Sequence, residues 1–200
     1  ACNDRGVVSF FGPMKRERVL EIFRASGALL EGHFILRSGL RSREFFQCAL
    51  ALQKMPEVEE LGIGLLELMK DLKVDTVLAP AMGGLVIGQE VARQLGSRYI
   101  FVEKEEGDLV LRRGFKIRKG ERLLIVEDVV TKGGRVDEAL AIAREHGADV
   151  CGVAVVVDRS NGKYDPGVPF YRLLPIEVAA FDPDNLPPDL AAIPAIKPGS

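Results

Sequence analysis

The feature that most constrains the fold is a set of apolar, strand-length runs without the alternation of a half-exposed strand. The chain reads "VDTVLAP" from residue 74, "LLIVEDVV" from residue 123 and "DVCGVAVVV" from residue 149. After each of the first two, apolar residues recur at helical spacing. A strand that is apolar on both faces needs cover on both faces, which alternating helices provide. The sequence therefore predicts an α/β fold with a parallel sheet between helices.

The chain length and the limits of these patterns predict one domain. The sequence has 200 residues, which suits a single core. Residues 1–13 match no periodic pattern and stop before Met14, so we expect an N-terminal extension or a cloning remnant. From Met14 to Ser200 we expect a single domain. Its expected parts are a small N-terminal region, a core and an extended proline-rich tail, over residues 14–56, 57–180 and 181–200.

Composition excludes several classes of protein. The net charge is −2, from 27 basic and 29 acidic residues, so no overall field would recruit nucleic acid or an anionic membrane. No apolar run approaches the roughly 20 residues of a membrane span. The three cysteines, Cys2, Cys48 and Cys151, lack the spacing of a disulfide framework or a zinc site. We expect a cytoplasmic protein with neither nucleic acid nor membrane as partner.

Two adjacent acids and a glycine loop mark the predicted site. Glu127 and Asp128 lie near the end of an apolar run, and "TKGG" (131–134) follows before a helix that starts near Arg135. In parallel sheets ligands bind beyond the carboxyl ends of the strands. Glycine N–H groups and the positive end of a helix suit one phosphate. The two common nucleotide loops, GxxxxGK[ST] and GxGxxG, are absent.

The acids cannot bind that phosphate directly. A carboxylate about 4 Å from a phosphate charge would be repelled by about 4 kcal/mol at an effective dielectric constant near 20. A ribose resolves the conflict if its hydroxyls donate to Glu127 and Asp128 while its 5-phosphate occupies the glycine loop. The pattern therefore predicts a phosphorylated pentose as ligand.

The same residues carry a family resemblance. "VEDVVTKGG" resembles the phosphoribosyl-diphosphate signature of type I phosphoribosyltransferases, and "APAMGG" (79–84) is similar to the loop that receives the diphosphate. The resemblance implies Mg²⁺ on the diphosphate, with no metal held directly by the protein. A capped strand–helix loop with incidental acids stays open as the alternative. The residues that would bind phosphoribosyl diphosphate are Glu127, Asp128, Val129, Val130, Thr131, Lys132, Gly133, Gly134 and Arg135.

Other segments resemble one branch of that family. "GHFILRSGLRSREFFQCA", "LVLRRGF" and "VVVDRSNGK" are similar to orotate phosphoribosyltransferases, from about Met14 to Ser200. The resemblance makes residues 14–56 a hood over the base. A forked guanidinium and an aromatic wall suit a planar base with a carboxylate. Two alternatives stay open: Phe45 and Phe46 could simply pack in the core, and Arg159 could be a surface residue. The residues implied for orotate are Thr131, Arg159, Arg37, Phe45 and Phe46.

The polar stretch "VEKEEGDLVLRRGFKIRKG" (102–120) suits a mobile lid that excludes water. By the resemblance, Lys104 would act with Asp128 in catalysis and would reach the diphosphate, often that of a neighbouring subunit. A homodimer with shared sites is therefore expected. Two features depart from the family pattern: glutamates surround Lys104, and Lys132 and Arg135 replace small hydroxyl residues.

The resemblance implies the activity. We expect transfer of the phosphoribosyl group to orotate, giving orotidine 5′-monophosphate and diphosphate in pyrimidine biosynthesis. Two alternatives stay open: a purine or xanthine phosphoribosyltransferase, and a regulator that only senses phosphoribosyl diphosphate with the same fold.

Overall fold

The computed structural model of the protein describes residues 14–36 and 38–197. The expectations for residues 1–13 and for Arg37 lie outside the described residues. No helix in the described part of the chain has the length and apolar character needed to cross a membrane. The elements are α1 Arg16–Ala25, β1 Leu29–Ile35, β2 Arg41–Phe46, α2 Cys48–Ala51, α3 Met55–Leu68, β3 Thr76–Pro80, α4 Gly84–Leu95, β4 Arg98–Glu105, β5 Asp108–Leu111, β6 Arg122–Val130, α5 Gly134–Glu145, β7 Asp149–Asp158, β8 Phe170–Pro175, β9 Ala180–Phe181 and α6 Pro188–Ala191.

A six-stranded sheet in the order β5-β4-β3-β6-β7-β8 forms the centre of the molecule. Its strands are parallel except for β5, which pairs antiparallel with β4. All five residues of β3 are buried, as are the last seven of β7. The parallel α/β prediction is confirmed, and it places the carboxyl ends of β3, β6 and β7 at one edge.

Helices cover both faces of this sheet with separate cores. On one face α1, α3 and α4 contribute Phe23, Leu61 and Ile87. On the other face α5 buries Val136 and Leu140 against the strands. Burying a Val or Leu side chain stabilises the fold by about 1.5–3 kcal/mol. The periodic apolar residues of α5 therefore fix where the loop before it must lie.

A smaller sheet, β1-β2-β9, holds the end of the described chain. β9 pairs with β2, and Ile196 forms a parallel bridge with Phe34. The Ile196 N–H donates to the carbonyl of His33 at 2.8 Å, and Nδ1 of His33 lies 2.8 Å from the carbonyl oxygen of Ile193. The sequence predicted an extended surface tail. Residues 191–197 are exposed, and the backbone of Ile196 holds this part of the tail on β1.

The predicted lid begins as an ordered hairpin. β4 continues to Glu105, turns at Glu106 and Gly107 with positive φ values of 53° and 110°, and returns as β5. Lys104 is exposed and lies opposite Leu109. The arginines that follow β5 bind the acids beside Lys104: Arg113 contacts Glu103 at 2.8 Å, and Arg112 contacts Glu105 at 2.8 Å. Two of the three surrounding glutamates are thus already paired.

Candidate active site

The adjacent acids lie on β6, just before its carboxyl end. Glu127 is 3 % exposed, and Asp128 is half-buried. Oε1 of Glu127 accepts the Asp128 N–H at 3.1 Å, and Oδ1 of Asp128 accepts the Val129 N–H at 2.8 Å. Burial raises the pKa of both carboxyls, and the charge of Asp128 raises that of Glu127 further. The pair is therefore primed to receive hydroxyl donors or a cation, which favour its ionised form.

The loop of residues 79–84 meets these acids through its glycines. A Cβ on Gly83 would lie 2.5 Å from Oδ1 of Asp128. A Cβ on Gly84 would lie 3.0 Å from Oε1 of Glu127 and 2.8 Å from the Val126 carbonyl oxygen. Each carboxylate thus occupies space that any other residue in this loop would fill. The two segments that the sequence predicted to bind one ligand lie side by side.

The glycine loop after β6 opens helix α5. Gly133 is the residue before the helix and has a φ of 86°, a left-handed conformation that favours glycine. Gly134 is the first residue of the helix, and Thr131 and Lys132 are exposed. Unpaired N–H groups at the start of this 12-residue helix carry partial positive charge. The predicted phosphate position is therefore at a real helix start.

Arg135 links the two loops. Its Nη1 donates to the carbonyl oxygen of Ala81 at 2.7 Å, across the gap between α5 and residues 79–84. Its charge also opposes the rise in the pKa of Glu127 and Asp128. Arg135 departs from the family pattern, and its hydrogen bond holds the predicted phosphate loop against the predicted diphosphate loop.

Arg159 follows β7 and lies beside the end of β6. Its backbone N–H donates to the carbonyl of Val130 at 2.9 Å, and its guanidinium carbon lies 5.5 Å from the centre of the Phe46 ring. Burial lowers the pKa of Arg159. Its buried Nε has no hydrogen-bond partner among the described residues. A buried guanidinium donor without an acceptor is costly, so this side chain suits an anionic ligand.

A cavity of about 420 Å³ is bordered by the loop after β6 and the loop after β7, whereas Glu127, Asp128 and residues 79–84 do not line it. Three of the predicted site residues, Thr131, Lys132 and Arg159, line it. Its charged lining side chains are all cationic, which suits an anion although the whole chain is slightly acidic. The lining residues are Leu36, Ser38, Leu40, Thr131, Lys132, Arg159, Ser160, Asn161, Lys163, Tyr164, Val178 and Ala180.

Other predicted residues lie away from this cavity. Lys104 is on the hairpin and does not line it. Phe46 is buried, with its ring centre 5.8 Å from that of Phe23. Phe45 packs against Phe34 at the same separation of 5.8 Å, and neither Phe45 nor Phe46 lines the cavity. In this structure their contacts are those of packing residues, although Phe46 also supports Arg159.

Asn161, Lys163 and Tyr164 are site residues that no sequence pattern had assigned to a ligand. All three line the cavity and follow Arg159 within five residues. Asn161 has a positive φ of 55° and accepts the Val178 N–H at 3.1 Å, which holds the loop after β7 against the far wall. Their position after an apolar strand, at the same edge of the sheet as Asp128, was the available signal.

The site offers little to a metal by itself. Within residues 14–36 and 38–197, no group of three or more His, Cys, Asp or Glu side chains is placed to hold a metal ion. Mg²⁺ needs octahedral oxygen ligands, and it is often bound by one or two carboxylates together with water and substrate phosphates. Glu127 and Asp128 fit that role only if a substrate supplies further oxygens.

This combination of sheet, acid pair and glycine loops defines the class of protein. The model of the phosphoribosyl transferase domain family matches residues 51–186, which is more than half of the chain. Orotate phosphoribosyltransferase of Desulforamulus reducens is 46 % identical over 187 residues, which cover 94 % of this chain and 98 % of that protein. The corresponding protein of Heliobacterium modesticaldum is 48 % identical over 189 residues, covering 94 % and 99 %. The chain belongs to the orotate phosphoribosyltransferase family.

A solved structure has the same fold. The orotate phosphoribosyltransferase of Aeropyrum pernix superposes with a TM-score of 0.69 at 23 % sequence identity, over 79 % of this chain and 93 % of that chain. The likeness extends to the arrangement of the elements, which agrees with the parallel sheet described above.

Proposed function

We propose that this chain transfers the phosphoribosyl group of phosphoribosyl diphosphate to orotate, giving orotidine 5′-monophosphate and diphosphate in pyrimidine biosynthesis. The observation that carries this proposal is the position of Arg159. Arg159 lines the same cationic cavity as Thr131 of the proposed phosphate loop, and its buried Nε has no hydrogen-bond partner among the described residues. A base that bears a carboxylate matches that cavity, whereas an uncharged purine would leave the donor unpaired.

Each part of phosphoribosyl diphosphate has a matching part of the site. The 5-phosphate would accept hydrogen bonds from the backbone N–H groups of residues 131–135 at the start of α5. The ribose hydroxyls would donate to Glu127 and Asp128, and the diphosphate would lie along residues 79–84. The diphosphate would carry Mg²⁺ beside Glu127 and Asp128, and that ion would supply positive charge to the leaving group.

The base would lie against the lobe formed after β7. Arg159 would donate to the orotate carboxylate, and Thr131 would contact the base from the phosphate loop. The hood formed by residues 14–56 would close on the bound base, and it would bring Arg37, Phe45 and Phe46 to the base.

Transfer requires the bond between the anomeric carbon and diphosphate to break as a ring nitrogen of orotate attacks that carbon and loses its proton to solvent. Positive charge develops on the ribose, and the carboxylates of Glu127 and Asp128 stabilise it. Negative charge develops on the diphosphate, where the backbone of residues 79–84 and Lys104 stabilise it. This is electrostatic preorganisation, and it requires no covalent intermediate with the protein.

The position of Lys104 supports a dimeric enzyme as part of the same proposal. The residue is exposed on a hairpin and is absent from the cavity lining of its own subunit. A two-fold homodimer would let the hairpin, as the proposed lid, serve the neighbouring site. We also propose a cytoplasmic location, in keeping with cysteines that lack disulfide spacing.

A single assay tests this function. The protein is incubated with phosphoribosyl diphosphate, Mg²⁺ and each of orotate, adenine, guanine, hypoxanthine and xanthine, and consumption of each base is followed. We expect consumption of orotate alone, abolished in Asp128→Asn with little change in melting temperature. Consumption of a purine would favour the purine or xanthine enzyme, and binding of phosphoribosyl diphosphate without turnover would favour the sensor.

A further inference from the structure

Tyr164 touches the phosphate loop at two points. Its ring fills the space left by Gly133, where an added Cβ would lie 1.9 Å from Cε2 of the ring. Its hydroxyl donates to Oδ1 of Asp137 at 2.7 Å, and Asp137 lies in the first turn of α5. Gly133 therefore has a second reason to be glycine, besides its left-handed backbone.

The same side chain belongs to the base lobe. Tyr164 lines the cavity with Arg159, which lies five residues earlier on the same loop. Its ring also meets Phe170 edge to face, with ring centres 5.7 Å apart and planes at 88°. Asn161 holds the middle of this loop to Val178. A displacement of the 159–164 loop must therefore move the ring that rests on Gly133.

The hydroxyl contact also matters for charge. A carboxylate in the first turn of α5 would repel a phosphate bound at the start of that helix. The Tyr164 hydroxyl occupies one oxygen of Asp137 and so fixes where that negative charge lies. Burial and the charge of Asp137 raise the pKa of the Tyr164 hydroxyl, so it stays a donor at neutral pH.

We propose that Tyr164 is a positioning residue that couples the two halves of the site, so that a phosphate on residues 131–135 orders the 159–164 loop for the base. The inference rests on the proposed function for the identity of the base. It predicts that the two ligands bind cooperatively, with each raising the affinity of the site for the other by the same factor.

The test measures that factor directly. The dissociation constant of orotate is determined with and without saturating ribose 5-phosphate, in wild type, Tyr164→Phe, Tyr164→Ala and the control Tyr171→Phe. Tyr171 packs on Gly152 outside the cavity, so its variant removes a phenol hydroxyl elsewhere. We expect a wild-type factor within about 5- to 150-fold, the usual range of coupling between sites. Tyr164→Phe should reduce it several-fold, because the ring stays on Gly133 but Asp137 loses its donor.

The expected factor for Tyr164→Ala is close to one, and that for Tyr171→Phe is the wild-type value. A merely structural role would weaken binding of either ligand and leave the ratio unchanged, which would overturn the proposal. An uncoupled wild type would overturn it equally. If Tyr164→Ala does not fold, the reduction in Tyr164→Phe decides the question.

A second measurement separates this inference from the proposed function. Amide hydrogen exchange of residues 159–164 is followed on addition of inorganic phosphate alone, without any base. Phosphate should protect this loop in wild type and leave it unprotected in Tyr164→Ala. Protection together with failure of orotate to bind would reject orotate as the base and keep the coupling. Equal protection in both proteins would reject the coupling whatever the base.

Discussion

Replacing Gly83 by alanine should disable the site while leaving the fold intact. The backbone of Gly83 has a φ of −58°, which alanine adopts without strain. The added methyl would lie 2.5 Å from Oδ1 of Asp128, whereas ordinary contacts begin near 3.4 Å. The carboxylate must therefore retreat by about 0.9 Å, which lengthens its 2.8 Å hydrogen bond from the Val129 N–H. A displacement of about 1 Å in a positioning group can reduce turnover roughly 100-fold.

The neighbouring glycine provides the comparison. In Gly84→Ala the methyl would lie 2.8 Å from the Val126 carbonyl oxygen, a backbone atom of a central strand that cannot rotate away. That variant should lose about 1–3 kcal/mol of stability through overpacking. Thermal melts and steady-state rates with varied phosphoribosyl diphosphate would separate the two effects. Wild-type kcat/KM in Gly83→Ala, or a fall in its Tm as large as that of Gly84→Ala, would refute the reasoning.

Four further outcomes are expected. Arg159→Ala should raise the KM for orotate about 10- to 150-fold, from a lost charged hydrogen bond of ~1.5–3 kcal/mol, and leave the KM for phosphoribosyl diphosphate nearly unchanged; an unaltered orotate KM would remove Arg159 from the base pocket. Because burial raises the pKa of Glu127 and Asp128 in the free protein, binding of phosphoribosyl diphosphate with Mg²⁺ should release protons, visible by calorimetry in two buffers of different ionisation enthalpy, and net proton uptake would contradict this. The protonated carboxyls of Glu127 and Asp128 contribute fully to stability below their unfolded pKa of about 4, and this contribution is lost as pH rises through their raised folded pKa values. Chemical denaturation should therefore show that the free energy of unfolding falls less over this pH range in Glu127→Gln than in wild type. Mixing inactive Lys104→Ala and Asp128→Asn chains should restore about a quarter of wild-type activity if the lysine acts across a two-fold interface, whereas inactive mixed dimers would reject a shared site.

The parts of the site that could be predicted from sequence are those with local causes. The apolar run before Glu127, the glycines after Val130 and the helical spacing of Val136 and Leu140 each carry their own signal. The strand, loop and helix of this stretch therefore form as expected. The apolar patterns that lead a nine-residue strand and a helix face to become buried lie in neighbouring residues of the chain, so they are visible in a single sequence.

The missed parts depend on contacts between distant segments. Glycine at position 133 suggested a phosphate cradle, but no pattern revealed that the ring of Tyr164 would fill the space beside it. The sequence could not decide whether Phe46 packs in the core, because a buried aromatic and a ligand wall have the same residue type. The two-residue strand β9 is too short for periodicity to show.

The docking of the tail on β1 has a consequence for the order in which the site can form. The hydrogen-bonded pair of His33 and Ile193 is separated by 160 positions in the chain. Ala180, in the strand that pairs with β2, lines the cavity beside Leu36 and Leu40 of the β1–β2 hairpin. During synthesis the large sheet can pair through β7 before residues 180–196 have emerged from the ribosome. A nascent chain would therefore form the proposed phosphate loop before residues 178–180 complete the wall of the proposed base pocket, so the ability to select a base would be acquired last.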